Sequence, residues 1–197
     1  MHLIPTIHCH NQTELVSRLD QLQNFATRAQ IDVEDGTITN SKTFDLELVS
    51  HLDSPLIWEV HLMVKEPLNW LQKCLLIGAS RIVGQVELMS DRQKFVDQVK
   101  SQGVDVGLGF NIETPISDIP LDTDIVLLLG RPAGFTPLPF DDSVLSKITQ
   151  ANNLGFPVAV DGGVNTQNYA KLTELGVDTI YSGQDYFQLL SCFPPKK

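Results

Sequence analysis

With 197 residues, 42% of them hydrophobic and 19% charged, the chain is sized for one domain (residues 1–197) with a full core. Twenty-four acidic residues against 14 basic ones give a formal charge of -10, which argues against nucleic acid or an anionic membrane as partner. A small phosphorylated substrate stays open, because backbone amides bind phosphate without help from net charge.

The three cysteines, Cys9, Cys74 and Cys192, form neither a disulfide framework nor a zinc-finger spacing. The opening Met1-His2-Leu3-Ile4-Pro5 has no signal-peptide pattern, and no apolar run is long enough to span a bilayer. A reducing cytoplasm is the expected compartment.

Short apolar runs alternate with amphipathic stretches along the whole chain. A strand is predicted over 3–7, then a helix over 13–26 with Leu15, Leu19, Leu22 and Phe25 at helical spacing and Asn11 or Gln12 near its start. A second strand covers 31–33, a short helix 44–52 and a third strand 56–64. Pro67 opens the next helix at its favoured first turn and the pattern runs to Ile77-Gly78. A fourth strand over 81–87 precedes a helix over 91–102 that stops at Gly103. The fifth strand, 104–110, is followed only by a helical turn near 115–119. The sixth and most apolar strand is 124–129. Asp141 or Asp142 stands near the cap of a helix over 142–154, which Gly155 ends. A strand over 157–160, a helix over 166–175 stopped by Gly176, a strand over 179–182 and a short helix over 184–190 complete the series.

Eight apolar strands, each followed by helix or loop, point to a parallel sheet covered by helices. Eight units favour closure into a (β/α)8 barrel, in which active sites sit where the strands end. The second strand reads Gln30-Ile31-Asp32-Val33-Glu34-Asp35-Gly36. Alternation puts Gln30, Asp32 and Glu34 on one face, which is costly in a buried strand unless something uses them. Glu59-Val60-His61-Leu62-Met63 and Val158-Ala159-Val160-Asp161-Gly162-Gly163 end in the same way.

Any one of these polar residues alone is an ordinary turn or core residue; Asp32, His61 and Asp161 together point to a site. Two carboxylates and an imidazole at strand ends suit metal-assisted proton abstraction beside a carbonyl. Asp32 and Asp161 lie roughly across the barrel, so one can remove a proton from one face of an enediolate and the other return one to the opposite face.

The order IDVEDG, EVHLMVKEP, VAVDGGV resembles ribulose-phosphate 3-epimerase, whose members show His-x-Asp-x-Met-Asp-Gly, Val-His-Leu-Met-Val-x-x-Pro and Val-Asp-Gly-Gly in that order. Ile4-Pro5-Thr6-Ile7, Gly107-Leu108-Gly109-Phe110-Asn111 and Pro132-Ala133-Gly134-Phe135 extend the resemblance over nearly the whole chain. It implies a ribulose-phosphate-binding barrel and an isomerase of pentose phosphate metabolism, with a phosphorylated pentulose as substrate; self-association into a homo-oligomer is compatible with it.

By that resemblance Asp32, His61 and Asp161 hold a divalent ion (Zn, Fe, Mn or Co), with Gln30 or Glu34 as fourth ligand, and Asp32 and Asp161 double as the acid–base pair. Gly162, Gly163 and Gly183 offer amides to the substrate phosphate. Thr6, Met63, Gly134 and Gln184 line the rest of the substrate site with His61.

Departures from the family pattern concentrate at this site. Gln30 replaces the first metal-ligand histidine, so a weakly bound or absent ion is expected. Glu34 replaces a methionine and could restore a ligand or repel a phosphorylated sugar, and Gln85 replaces a second histidine. In the sixth loop Gly134-Phe135-Thr136-Pro137-Leu138 stands for Gly-Phe-Gly-Gly-Gln, and proline removes an amide. Arg131 is new, either a cation for the phosphate or a solvated loop charge. An active epimerase is therefore weighed against an impaired relative that keeps the barrel for binding or structure. A keto-hexulose phosphate decarboxylase ranks last, because Glu34 stands where its lysine should be.

Overall fold

The computed structural model describes residues 1–134 and 138–193. Eight parallel strands close into a barrel in chain order: β1 His2–Ile7, β2 Arg28–Glu34, β3 Ile57–Met63, β4 Arg81–Gln85, β5 Asp105–Phe110, β6 Ile125–Leu129, β7 Val158–Asp161 and β8 Thr179–Ser182. Six helices cover it: α1 Gln12–Leu22, α2 Leu71–Leu76, α3 Arg92–Lys100, α4 Val144–Asn153, α5 Tyr169–Glu174 and α6 Tyr186–Leu190. No helix among the described residues is long and apolar enough to cross a membrane.

Strand parity divides the barrel wall. Ile31 and Val33 of β2 and Trp58, Val60 and Leu62 of β3 point outward into the large core shared with the helices. Inside, a smaller cluster of Ile4, Val83, Ile125, Leu127, Leu129, Ala159 and Tyr181 fills one side of the lumen. The rest of the interior is polar and buried: Gln30, Asp32, Glu34, Glu59, His61 and Gln85. At its N-terminal end Glu59 Oε2 accepts from Arg81 at 3.3 Å and from the Tyr181 hydroxyl, and Oε1 pairs with the charge of Arg28 at 2.7 Å. The polar face therefore serves two jobs, an ionic plug at the bottom and a site at the top.

Helix ends follow their sequence signals. Asn11 caps α1 by accepting from the Glu14 amide at 3.0 Å, while the Glu14 carboxylate accepts from the Asn11 side-chain amide at 2.7 Å and from the His10 backbone amide, one residue before the cap, at 2.9 Å. Around α4 the cap falls one residue later than expected: Ser143 is the N-cap, and Asp141 accepts from its amide at 2.8 Å.

Other expectations need correction. The stretch 44–52 is a 3-10 helix over Leu46–His51, and the Pro67 helix begins as a 3-10 turn, Pro67–Trp70, before α2. Strand β4 stops at Gln85, and Glu87 turns its carboxylate to the Asn111 amide and the Thr114 hydroxyl. No helical turn forms at 115–119. Pro115 and Pro120 lack donors, and side chains from the flanking helices satisfy the carbonyls instead: Arg92 for Ser117, Gln150 for Ile116 and Lys147 for Thr114. Strand β7 takes in Asp161 and leaves out Pro157, which has no N–H to give the ladder.

Candidate active site

The register of β2 against β3 pairs Asp32 with His61, and β7 carries Asp161 as its last residue. All three side chains are buried at the C-terminal mouth of the barrel, and they offer ligand atoms within 4.8 Å of one another. Strands β2 and β7 are separated by β1 and β8 around the ring, so the two carboxylates reach the site from well-separated parts of the wall.

His61 is held from behind. Its Nε2 lies 2.8 Å from Gln85 Oε1, so Nε2 carries the proton and Nδ1 presents its lone pair to the site. Nδ1 is 3.5 Å from Asp32 Oδ1 and 3.9 Å from Asp161 Oδ2, contacts too long for good hydrogen bonds. Gln85 thus acts as the ring's anchor.

Gln30 does not present its oxygen to this cluster. Its Nε2 donates to Asp32 Oδ1 at 3.0 Å and to Asp161 Oδ2 at 2.6 Å, tying the two carboxylates together. Its Oε1 is buried without a hydrogen-bond partner among the described residues. The reason is elementary: two acceptors facing one amide turn its NH2 toward them. For Gln30 to be a metal ligand the amide would have to rotate and give up both bonds.

Glu34 is also absent from the cluster. It is taken up by His8, whose Nε2 lies 3.4 Å from Glu34 Oε1, and by the Ser41 hydroxyl, which donates to Oε2 at 2.6 Å. Although burial acts to raise it, these hydrogen bonds hold the Glu34 carboxyl below its usual range. Burial likewise acts against the charged form of His8, but Glu34 and the aspartates raise its pKa. Glu34 is thereby neutralised locally, not free to ligate or to repel.

The trio itself retains protons. Burial first, and then the charge of Asp32, push Asp161 up to about 7, against the pull of His61, the Gln30 bond and Arg131. His61 is fully enclosed, which lowers its pKa, yet the nearness of Asp32 and the negative charges of both aspartates raise it overall. Two carboxylates and an aimed imidazole lone pair form an oxygen–nitrogen donor set suited to a first-row divalent ion. Nδ1, which has no hydrogen-bond partner among the described residues, is the imidazole atom that would meet such an ion once any proton on it has left.

Two cavities meet at the trio. The larger, about 270 Å³, takes in Thr6, Gly162, Gly163, Gly183 and Gln184. The smaller, about 40 Å³, takes in His61, Met63 and Gly134. Asp32, Asp161 and Gly162 border both. Every residue the sequence singled out for substrate therefore lines one of the two, with Gln30 just behind the carboxylates. Phe135, Thr136 and Pro137 of the altered sixth loop lie outside the described residues.

At Gly162 and Gly163, φ is +91° and +74°, and an added Cβ would come within 2.8 Å of Arg131 Cγ and 2.9 Å of the Phe140 backbone respectively. Among the described residues no backbone acceptor meets the N–H groups of Gly162, Gly163, Gly183 or Gln184. Successive left-handed glycines such as Gly162 and Gly163 turn neighbouring amides to one side, the geometry from which anion nests are built.

His8 and Arg18 are among the residues of the larger cavity that the sequence did not single out. His8 follows β1 and shares the inward parity of Ile4 and Thr6, a signal that extending the strand pattern by one step would have caught. Arg18 lies on α1 between the core residues Leu15, Leu19 and Leu22, and its position inside that stripe marks it as facing the barrel.

The comparisons with known proteins agree with this geometry. The ribulose-phosphate 3 epimerase family profile matches residues 2–187. A protein named ribulose-phosphate 3-epimerase from Encephalitozoon cuniculi is 27% identical over 181 residues, covering 90% of this chain and 84% of that protein. One from Bacillus subtilis is 30% identical over 167 residues, 78% and 76% of the two chains. Among solved structures, phosphoribosyl anthranilate isomerase from Thermus thermophilus superposes with a TM-score of 0.68 at 12% identity, over 98% of this chain and 100% of that one. N-(5'-phosphoribosyl)anthranilate isomerase from Pyrococcus furiosus gives 0.61 at 18%, over 93% and 89%. At those identities the structural likeness speaks for the barrel alone. Motif order, barrel topology, the Asp32–His61–Asp161 cluster and a profile match over almost the full length lead to one conclusion: the chain belongs to the ribulose-phosphate 3-epimerase family, a family of isomerases.

Proposed function

We propose that the chain interconverts ribulose 5-phosphate and xylulose 5-phosphate by two-base proton transfer between Asp32 and Asp161. The observation that carries this reading is the meeting of those carboxylates between two cavities, with the pKa of Asp161 pushed up to about 7 while Asp32 stays beside it. Two carboxylates this close do not ionise independently, so one can hold a proton while the other is ionised, as an acid and a base acting in turn require.

The ionised carboxylate takes the proton from the carbon next to the substrate carbonyl, and the C–H electron pair moves into an enediolate. The protonated carboxyl gives its proton to the opposite face of the same carbon, and the pair ends with its protonation reversed. A divalent ion held by Asp32, His61 and Asp161 would supply polarisation of the carbonyl, lowering the cost of removing that proton. Gln85 keeps His61 oriented with its lone pair forward. Met63 walls the smaller cavity against the planar intermediate. The amides of Gly162, Gly163, Gly183 and Gln184 seat the phosphate, and Thr6, whose buried hydroxyl has no partner among the described residues, is free to meet a sugar hydroxyl.

The test is an epimerase assay in deuterium oxide on purified protein with and without added Zn, Fe, Mn or Co, alongside metal analysis. Deuterium at the epimerised carbon supports the reading. A metal-loaded protein that neither exchanges nor epimerises sinks it and marks a relative that uses the barrel for binding alone.

A further inference from the structure

We propose that Arg18 and Arg131 form a two-guanidinium clamp on the substrate phosphate, replacing anion-binding capacity that the proline-bearing sixth loop gives up. The proposal rests on the reading of the site as one for a phosphorylated pentulose. Both side chains line the larger cavity with the free amides of Gly162, Gly163 and Gly183.

The two arginines come from different parts of the fold and are fixed in different ways. Arg18 projects from α1, donates from Nη2 to the Gly183 carbonyl at 2.7 Å and from Nη1 to Gln21 Oε1 at 3.2 Å, and lies 5.8 Å from the centre of the Phe187 ring. Engaging the Gly183 carbonyl turns an oxygen that would repel an anion into a partner of the cation. Arg131 follows β6 and donates to the Leu138 carbonyl at 3.3 Å. Its stem lies against Gly162 so closely that a Cβ there would sit 2.8 Å from Arg131 Cγ. It borders both cavities, and its charge reaches Asp161.

Electrostatics supplies the need. The larger cavity carries the carboxylates of Asp32, Asp161 and Asp185, in a chain of formal charge -10. A phosphate monoester brought among them meets like charge, which the backbone amides seat but do not neutralise. Two guanidiniums facing the amides restore a positive seat, and their planar forks suit phosphate oxygens better than a lysine ammonium does. Each recorded bond leaves further N–H donors on both arginines for an anion.

The test uses the full chain and the variants Arg18→Met, Arg131→Met and Arg131→Lys. Inorganic phosphate binding is followed by phosphorus NMR, and KM is measured with ribulose 5-phosphate and with unphosphorylated ribulose. Each Met variant is expected to weaken inorganic phosphate and to raise KM for ribulose 5-phosphate by about tenfold or more, with the loss confined to phosphorylated ligands. Arg131→Lys should recover part of the loss, since charge returns without the fork. Wild-type phosphate affinity in both Met variants overturns the clamp. An equal loss with phosphorylated and unphosphorylated ligands overturns it too, because that is a fold defect. If wild type binds phosphate in an arginine-dependent way but does not epimerise, the clamp stands and the epimerase reading falls. If wild type binds no phosphate, the clamp falls whatever the turnover.

Discussion

Replacing Gln30 by histidine separates the two roles that position plays. In the metal-free protein the Gln30 amide crosslinks Asp32 and Asp161 through bonds of 3.0 and 2.6 Å. Hydrogen bonds to charged groups are worth roughly 1.5–3 kcal/mol each, and an imidazole can donate at most one of the two without protonating, so Gln30→His should lower metal-free stability by about 1.5–3 kcal/mol. Toward metal the sign reverses. Gln30 presents NH2 to the carboxylates, so an ion in the trio gains no ligand from it unless the amide rotates and both bonds are lost. A histidine brings a nitrogen lone pair, and a gain of about 10–100-fold in affinity for zinc or manganese is expected, the scale on which neighbours of a metal site act. Urea unfolding in the presence of chelator measures the first effect and competition with a chromogenic chelator at matched pH the second. A variant that binds metal no more tightly than wild type refutes the assignment of Asp32, His61 and Asp161 as the metal-holding set with Gln30 beside it.

The metal-free protein should lose stability as pH rises. Asp161 has its pKa raised from 3.8 to about 7 on folding, so folding takes up a proton between those values. The stabilisation is therefore complete below about pH 4 and lost by about pH 7, worth at most roughly 4 kcal/mol. His61, also raised, adds a loss of the same sign at higher pH, above its ordinary 6.5. Unfolding midpoints in chelator across pH 4–8 check this, and a midpoint that climbs through the window contradicts it. Metal binding competes with protonation of these groups, so affinity should rise with pH over that range and calorimetry in buffers of different ionisation enthalpy should register some proton release. Asp32→Asn and Asp161→Asn should each cut turnover by roughly 10²–10⁴-fold, and the double variant should be little worse than either, since both block one proton-transfer sequence. Glu59→Leu should destabilise by about 3–5 kcal/mol in urea unfolding, because Arg28 and Arg81 lose the buried carboxylate between them; activity per folded molecule should survive, as Glu59 lies at the far end of the barrel.

The order and type of the eight strands were legible in the sequence because each is an apolar run bounded by turn residues, and because a strand buried on both faces leaves little room for another reading. Parity alone then identified Asp32, His61 and Asp161 as inward residues, and the motif order gave them a common purpose. Parity says which wall a side chain leaves, not whom it meets. That Gln30 donates to both aspartates, and that Glu34 turns to His8 and Ser41, depends on the register of neighbouring strands and on which acceptors crowd a given donor. The same holds for 115–119, where local pattern favoured a helical turn but Arg92, Lys147 and Gln150, supplied by other elements, satisfied the carbonyls. Arg131 stood out in the sequence as a new charge with two possible uses, whereas Arg18, far from it in the chain, belongs to no local motif. Only closure of the barrel, which brings α1 and the loop after β6 to the same mouth, lets both arginines line one cavity with the glycines.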